Sequence, residues 1–318
     1  MIKVIDLEKV EFSPKHGTYG GNACSKDGIM LNDEMWILKY FSYVKEFKDE
    51  HNLLEYSISA LSEYIASNIF NMLGYQAQET ILAKRYDSLV VACKDFAVEK
   101  ELVHITKLLE DTSKDIYKLE YKTIKQVGIT YDDQIQSYIF HFSNNPIFTS
   151  IKGITERFWT QSLIDILINN NDRCDKNWGI LKDKDGNIEL SPAYDNANSL
   201  PSPPTAEELN DLLSSDETLY KYVLGTTSTY IAVKYKEVFI HNKDLRKAVL
   251  EVVPLIESKL ADIFSFIDEI PECQEFEDGT ILKVCDSVRK DYYKKHLQIR
   301  YDVLLKPLYE AALNYKDN

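Results

Sequence analysis

The run Asn171-Asp172-Arg173-Cys174-Asp175-Lys176-Asn177-Trp178-Gly179-Ile180-Leu181, followed after a polar turn by Ile188-Glu189-Leu190-Ser191-Pro192-Ala193-Tyr194-Asp195, decides how this chain is read. Phosphoryl transfer needs a carboxylate to take the acceptor's proton and, a few residues on, an amide oxygen to hold magnesium. It also needs a second carboxylate, brought in from a neighbouring strand, on the other side of the metal. Asp172, Asn177 and Asp195 suit those three jobs in that order.

The spacing has a physical basis. Asp172 and Asn177 share one polar loop, short enough for both side chains to reach a single phosphate. Gly179-Ile180-Leu181 and Ile188-Glu189-Leu190 read as two short strands, and the Asp185-Gly186 pair between them is a strong hairpin signal. Such a hairpin returns Asp195 to the neighbourhood of Asn177. Magnesium takes six oxygens and keeps several waters, so two protein ligands plus phosphate oxygens suffice. A calcium loop is excluded, because Gly186 at the sixth position would put Leu181 first and Pro192 twelfth. A polar loop and hairpin with an incidental Asp and Asn is the plain alternative.

The N-terminal third holds the other parts such a site requires. Gly17-Thr18-Tyr19-Gly20-Gly21-Asn22-Ala23-Cys24-Ser25-Lys26-Asp27-Gly28 is the glycine-richest stretch, and it fits neither a P-loop nor a dinucleotide fingerprint. Backbone N–H groups around Gly20 and Gly21 can approach a phosphate, since no Cβ blocks them. An ordinary surface turn accounts for the stretch equally well. Met35-Trp36-Ile37-Leu38-Lys39-Tyr40 reads as an apolar strand whose lysine is either a solvated strand end or an inward cation. Residues 53–73 follow as an amphipathic helix, with Leu54, Ile58, Leu61, Ile65, Ile69 and Met72 on one stripe. Glu63 sits off that stripe, where solvent exposure and pairing with Lys39 are both open.

With these residues in place the chain resembles the HipA-like serine/threonine kinases of bacteria. The resemblance rests on Asn171-Asp172-Arg173 through Asn177, on Leu190-Ser191-Pro192-Ala193-Tyr194-Asp195, and on Ser62-Glu63 through Leu73-Gly74. It covers about residues 15–200. It implies that Asp172 is the catalytic base, that Asn177 and Asp195 ligate Mg2+, and that Lys39 contacts the phosphates of ATP with Glu63 orienting it. It places a hinge at Val90-Val91-Ala92-Cys93-Lys94-Asp95-Phe96, where backbone groups near Ala92 and Lys94 would hydrogen-bond adenine. Cys174 stands where the family often has histidine. The family autophosphorylates in the glycine-loop region, where Ser25 lies, though a loop serine without a role is the plainer reading. The region that precedes the kinase core in HipA itself is missing, so no antitoxin partner is expected.

Composition agrees. A chain of 318 residues suits one bilobal unit or two domains. A net charge of −14 argues against nucleic acid as the main partner and against stable docking on anionic membranes. Five cysteines form no C-x-x-C pair, which disfavours a disulfide framework or a zinc site, and no apolar run approaches a membrane span or a signal peptide. A cytoplasmic location is the default expectation, with translocation into host cells left open by the resemblance.

The expected architecture is α+β: a bilobal protein-kinase-like fold with a small mixed N-lobe over residues 1–96 and a larger helical C-lobe over 97–318. Residues 156–168 deliver a helix into the catalytic loop, 199–205 form an activation segment or a plain connection, and 243–268 and 284–313 are long helices. The expected activity is ATP- and Mg2+-dependent transfer to serine or threonine hydroxyls of a protein. A lipid or small-molecule kinase, and a nucleotide-binding interaction module without turnover, remain as rivals.

Overall fold

In the computed structural model, residues 2–20, 24–40, 52–86, 88–113, 131–170, 172–203, 205–225 and 242–316 are described. The N-terminal half is built on a five-stranded sheet. Its strands are β1 (Ile5–Asp6), β2 (Ser25–Leu31), β3 (Glu34–Tyr40), β4 (Thr80–Arg85) and β5 (Ser88–Lys94), in the order β1-β4-β5-β3-β2. Only β1 and β4 run parallel. The β2–β3 hairpin turns at Asn32 and Asp33, both at positive φ, as a two-residue turn matched to strand twist requires.

Strand alternation aims the lysine. Side chains two apart share a face, so Trp36 and Leu38 join Leu7, Ile29, Val90 and Ala92 in a small core on one side of the sheet. Lys39 faces the other way, toward α1 (Asn52–Met72), whose Leu61, Ile65 and Ile69 pack with Leu82, Leu89, Val91 and Cys93. α1 ends in a Schellman turn. Gly74 takes positive φ, its N–H donates to Asn71 O, and the Tyr75 N–H donates to Phe70 O.

In the second half, β6 (Glu101–His104), β7 (Gly179–Lys182) and β8 (Ile188–Leu190) form an antiparallel sheet, with the β7–β8 hairpin turning at Gly186. Helices α2 (Ile105–Ser113), α3 (Tyr131–Asn144), α4 (Pro146–Ser150) and α5 (Ile154–Ile168) lie between β6 and β7 in sequence. The apolar α5 is buried and ends at Asn169, whose left-handed backbone stops the helix just before the loop that carries Asp172 and Asn177. Helices α6 (Ala206–Leu213), α7 (Asp216–Gly225), α8 (Lys243–Glu269), α9 (Ser287–Arg300) and α10 (Lys306–Leu313) complete the core, with a π-helical turn over Tyr301–Leu305.

The architecture is thus the mixed α+β one expected. Two elements depart from the reading of the second half as helices around the β7–β8 hairpin: β6, which adds a third strand to it, and a further hairpin. A hairpin of β9 (Cys273–Glu275) and β10 (Ile281–Lys283) follows α8 and holds the N-terminus, with Gln274 Oε1 accepting from the Val4 N–H at 2.7 Å. The segment at 199–203 is tied to α9. Tyr292 Oη donates to Pro201 O, and Arg289 donates to Ser202 Oγ at 2.8 Å and Pro203 O at 3.0 Å.

Candidate active site

Lys39 Nζ lies 2.7 Å from Glu63 Oε2 and 3.2 Å from Asp195 Oδ1. Lys39 is on β3, Glu63 on α1 and Asp195 beyond β8, so the fold converges three segments on one ammonium. Burial works against that charge, but Glu63 above all, with Asp195, more than offsets it, and the Lys39 pKa stands well above the ordinary lysine value. Lys39 in turn holds the Asp195 carboxyl below the usual carboxylate range, against the opposing effect of burial. Glu63 is fully buried rather than solvent-exposed. Its position off the apolar stripe turns it toward the lysine.

The loop that carries Asp172 and Asn177 lines the same cleft. Asn177 Nδ2 donates to Asp172 O at 2.6 Å and to Asp172 Oδ2 at 3.2 Å, and Asn198 Nδ2 donates to the same carboxylate oxygen at 3.1 Å. The cleft encloses about 710 Å3 and is lined by Gly20, Lys39, Asp172, Asn177 and Asp195 among others, a size typical of small-molecule sites. Asp195 has φ 58°, a left-handed backbone that costs a non-glycine residue on the order of 1–3 kcal/mol and turns its carboxylate toward Lys39.

Arg173 joins the loops. Its guanidinium forms a fork on Asp165 of α5, with Nε to Oδ2 at 2.9 Å and Nη2 to Oδ1 at 3.1 Å. Nη1 donates to Asn177 O at 2.8 Å and to Tyr194 O at 2.6 Å. Burial opposes the charge on both partners. In Arg173 the Asp165 carboxylate outweighs it and the pKa is raised, whereas in Asp165 burial outweighs the arginine and the carboxyl is lifted. The short fork geometry makes the charged pair the form to reason from at neutral pH.

Ala92 and Lys94, expected near the nucleotide, both lie in β5. Ala92 is fully buried in the central strand, paired with Leu38 on one flank and Ile81 on the other. The Lys94 N–H donates to Glu79 O, and Lys94 O accepts from Gln78 Nε2 at 2.9 Å. The Ala92 backbone thus lies within the sheet, whereas Lys94 is the last residue of β5 and its carbonyl keeps a second lone pair. The residue beyond β5 that lines the cleft is Phe96, set beside Asp95, which receives bonds from Lys15 and Tyr19. Gly20 lines the cleft and its carbonyl accepts from Lys26 Nζ at 2.8 Å. Gly21 lies outside the described residues.

A family model for the HipA-like C-terminal domain matches residues 17–259. The chain belongs to this family. It is 27% identical over 283 residues to the serine/threonine-protein kinase CtkA of Helicobacter pylori strain J99, covering 85% of this chain and 81% of that protein. The crystal structure of the H. pylori proinflammatory kinase CtkA matches with a TM-score of 0.73 at 22% identity, over 99% of this chain and 100% of that one. That likeness shows the fold. HipA of Shewanella oneidensis MR-1, in complex with HipB and operator DNA, reaches a TM-score of only 0.43 at 13% identity, over 94% of this chain and 70% of that one. This is too weak to bear on the fold.

Several residues in or behind the cleft of this HipA-like chain escape a sequence reading. Tyr194 Oη is 2.8 Å from His104 Nδ1, and burial lowers the His104 pKa. Asp165 had a readable signal, being a lone carboxylate in the apolar run Leu163-Ile164-Asp165-Ile166-Leu167-Ile168. Asn198 had none. Among the described residues no cluster of three or more His, Cys, Asp or Glu side chains forms a metal cage, and no helix is long and apolar enough to cross a membrane.

Proposed function

We propose that this chain is a protein kinase that moves the γ-phosphoryl group of ATP, with Mg2+, to serine or threonine hydroxyls. The observation that carries the reading is the meeting of Lys39, Glu63 and Asp195 in a cleft shared with Asp172 and Asn177. Residues 1–96 bring the lysine and its glutamate, and residues 97–318 bring the loop and the second carboxylate. CtkA's name as a serine/threonine-protein kinase supports a protein acceptor.

The donor set fits magnesium. Asp195 is held in its ionised form by Lys39, and Asn177 spends its Nδ2 on Asp172, turning its Oδ1 to other uses. An amide oxygen and one carboxylate are hard ligands of the kind that Mg2+ shares with phosphates and water. Asn177 and Asp195 would hold it, and when bound it supplies neutralisation of charge on the phosphate oxygens.

The chain's own groups do the remainder. Asp172 orients the acceptor hydroxyl and takes its proton. Lys39 stabilises the charge spread over the phosphate oxygens, with Glu63 fixing the ammonium. Most of the rate then comes from positioning and electrostatics. Gly20 and Gly21 would let backbone N–H groups close over the phosphates, and Ser25, at the start of β2 beside that loop, is the residue to inspect for autophosphorylation.

One experiment tests the reading: transfer from γ-labelled ATP with Mg2+, comparing wild type with Asp195→Asn, on the chain itself, on protein substrates and on a lipid and small-molecule panel. Label on Ser or Thr of protein, lost in the variant, is the expected result. Label confined to lipid or small molecules removes the protein-kinase reading, and nucleotide binding without any transfer removes catalysis.

A further inference from the structure

Asn196 follows the metal-side aspartate, is fully buried, and bonds to three residues from two separate parts of the chain. Its backbone N–H donates to Glu63 Oε1 at 2.9 Å, and its Nδ2 donates to Ser67 Oγ at 2.9 Å. Its Oδ1 accepts from Arg173 Nη2. Glu63 and Ser67 are four residues apart on α1, so both face the same side of that helix. Arg173 belongs to the catalytic loop and also grips Asn177 O and Tyr194 O.

The chemistry of the side chain matters here. An amide offers a donor and an acceptor on one short stem. One end holds α1 and the other holds the guanidinium, and the backbone N–H between them is thereby pressed against Glu63. Glu63 spends one oxygen on Lys39 and the other on Asn196, which fixes the carboxylate's rotation. An apolar residue at 196 would strand Ser67 and Arg173 without these partners, and an aspartate would lose the amide donor. Buried polar groups persist only when their bonds are made.

We propose that Asn196 is a positioning residue that couples the Lys39–Glu63 pair to the loops held by Arg173, so that lysine, base and metal-side groups are set as one unit. Its effect on turnover rests on the phosphoryl-transfer reading; the coupling itself does not. Asn196 touches no reacting atom in this account. It acts through Glu63 on one side and Arg173 on the other.

A double-mutant cycle of Asn196→Ala with Glu63→Gln tests this, read on kcat, on the KM for ATP and on the urea midpoint. Loss of alignment predicts a kcat lowered on the order of ten- to a hundredfold in Asn196→Ala. The KM for ATP should change by less than about threefold, since only alignment is lost. Adding Glu63→Gln should lower kcat by no more than about a further threefold, because coupled residues are not additive. The shifts in urea midpoint should likewise sum to more than the shift of the double variant. Multiplying kcat losses or additive midpoints overturn the proposal, as does a kcat loss that only tracks a loss of folded protein. If the wild type transfers no phosphate, the kinase reading fails while the midpoint cycle still decides the coupling. Ser67→Ala, which removes one bond from the same joint, replaces Asn196→Ala in the cycle if the latter does not fold.

Discussion

Lys39 and Glu63 form an ion pair of 2.7 Å with side-chain exposures of only 6% and 0%, although 24 residues separate them. Removing one partner of a buried pair leaves the other charge uncompensated. Glu63→Ala is therefore expected to cost about 3 kcal/mol, near the low end for such pairs because Asp195 still faces the ammonium. The Lys39 pKa is raised on folding, so the pair's contribution is complete below the unfolded value of about 10.4 and is lost as pH rises through the folded one. The stability gap between wild type and variant should stay constant from about pH 7 to 9 and close only in stronger alkali. Urea titrations across that range decide it, and a gap already closed at the lower end would sink the buried-pair account.

Asp172→Asn should separate binding from chemistry. The asparagine keeps an oxygen that accepts from Asn177 and Asn198, as the carboxylate does now, but it cannot take a proton. The expected loss in kcat is about 10²–10⁴-fold, the usual worth of general acid–base catalysis, with nucleotide affinity retained. Steady-state transfer together with a fluorescent-nucleotide titration measures both. Full turnover in the variant would end the assignment of Asp172 as base.

Legibility in the sequence followed the range of the interaction that places each residue. The β7–β8 hairpin and α1 rest on local signals, the Asp185-Gly186 turn and a helical stripe, and both were readable. That Glu63 is buried was not, because only the docking of α1 on the sheet closes over it. The setting of Ala92 was hidden for a related reason: a strand read alone does not show that it is paired on both flanks. The β9–β10 strands are three residues each, too short for alternation to register. Asn196 draws its partners from positions 63, 67 and 173, and no local pattern joins them.

Gly179 carries a prediction that no sequence motif announces. A Cβ there would stand 2.4 Å from Val103 O, a backbone atom of the neighbouring strand β6 that cannot rotate away. Gly179→Ala must push β6 and β7 apart, at a cost of about 1–3 kcal/mol typical of overpacking. Because β7 begins two residues after Asn177, turnover should fall more than the loss of folded protein explains. Thermal unfolding and transfer assays on the same sample test both halves. An alanine variant with unchanged stability and rate would show that the strands yield freely.

Arg173→Lys tests whether the metal-side groups depend on a guanidinium fork. Arg173 makes two bonds to Asp165 and further bonds to Asn177 O, Tyr194 O and Asn196. A lysine keeps the charge that neutralises buried Asp165, so the fold should survive. It has no planar fork, however, and cannot hold both loops at once. The carbonyls of Asn177 and Tyr194 then lose their common anchor, and with it the spacing of the Asn177 and Asp195 side chains. The expected result is a kcat reduced by about tenfold or more, as misplacement on the ångström scale produces. The half-saturating Mg2+ concentration should rise, and the melting temperature should fall because buried Asn196 Oδ1 and an Asp165 oxygen lose their donor. Mg2+ titrations of transfer at saturating ATP provide the measurement. A lower kcat with an unchanged Mg2+ requirement would mean that Arg173 serves the loop fold without setting the metal-side groups.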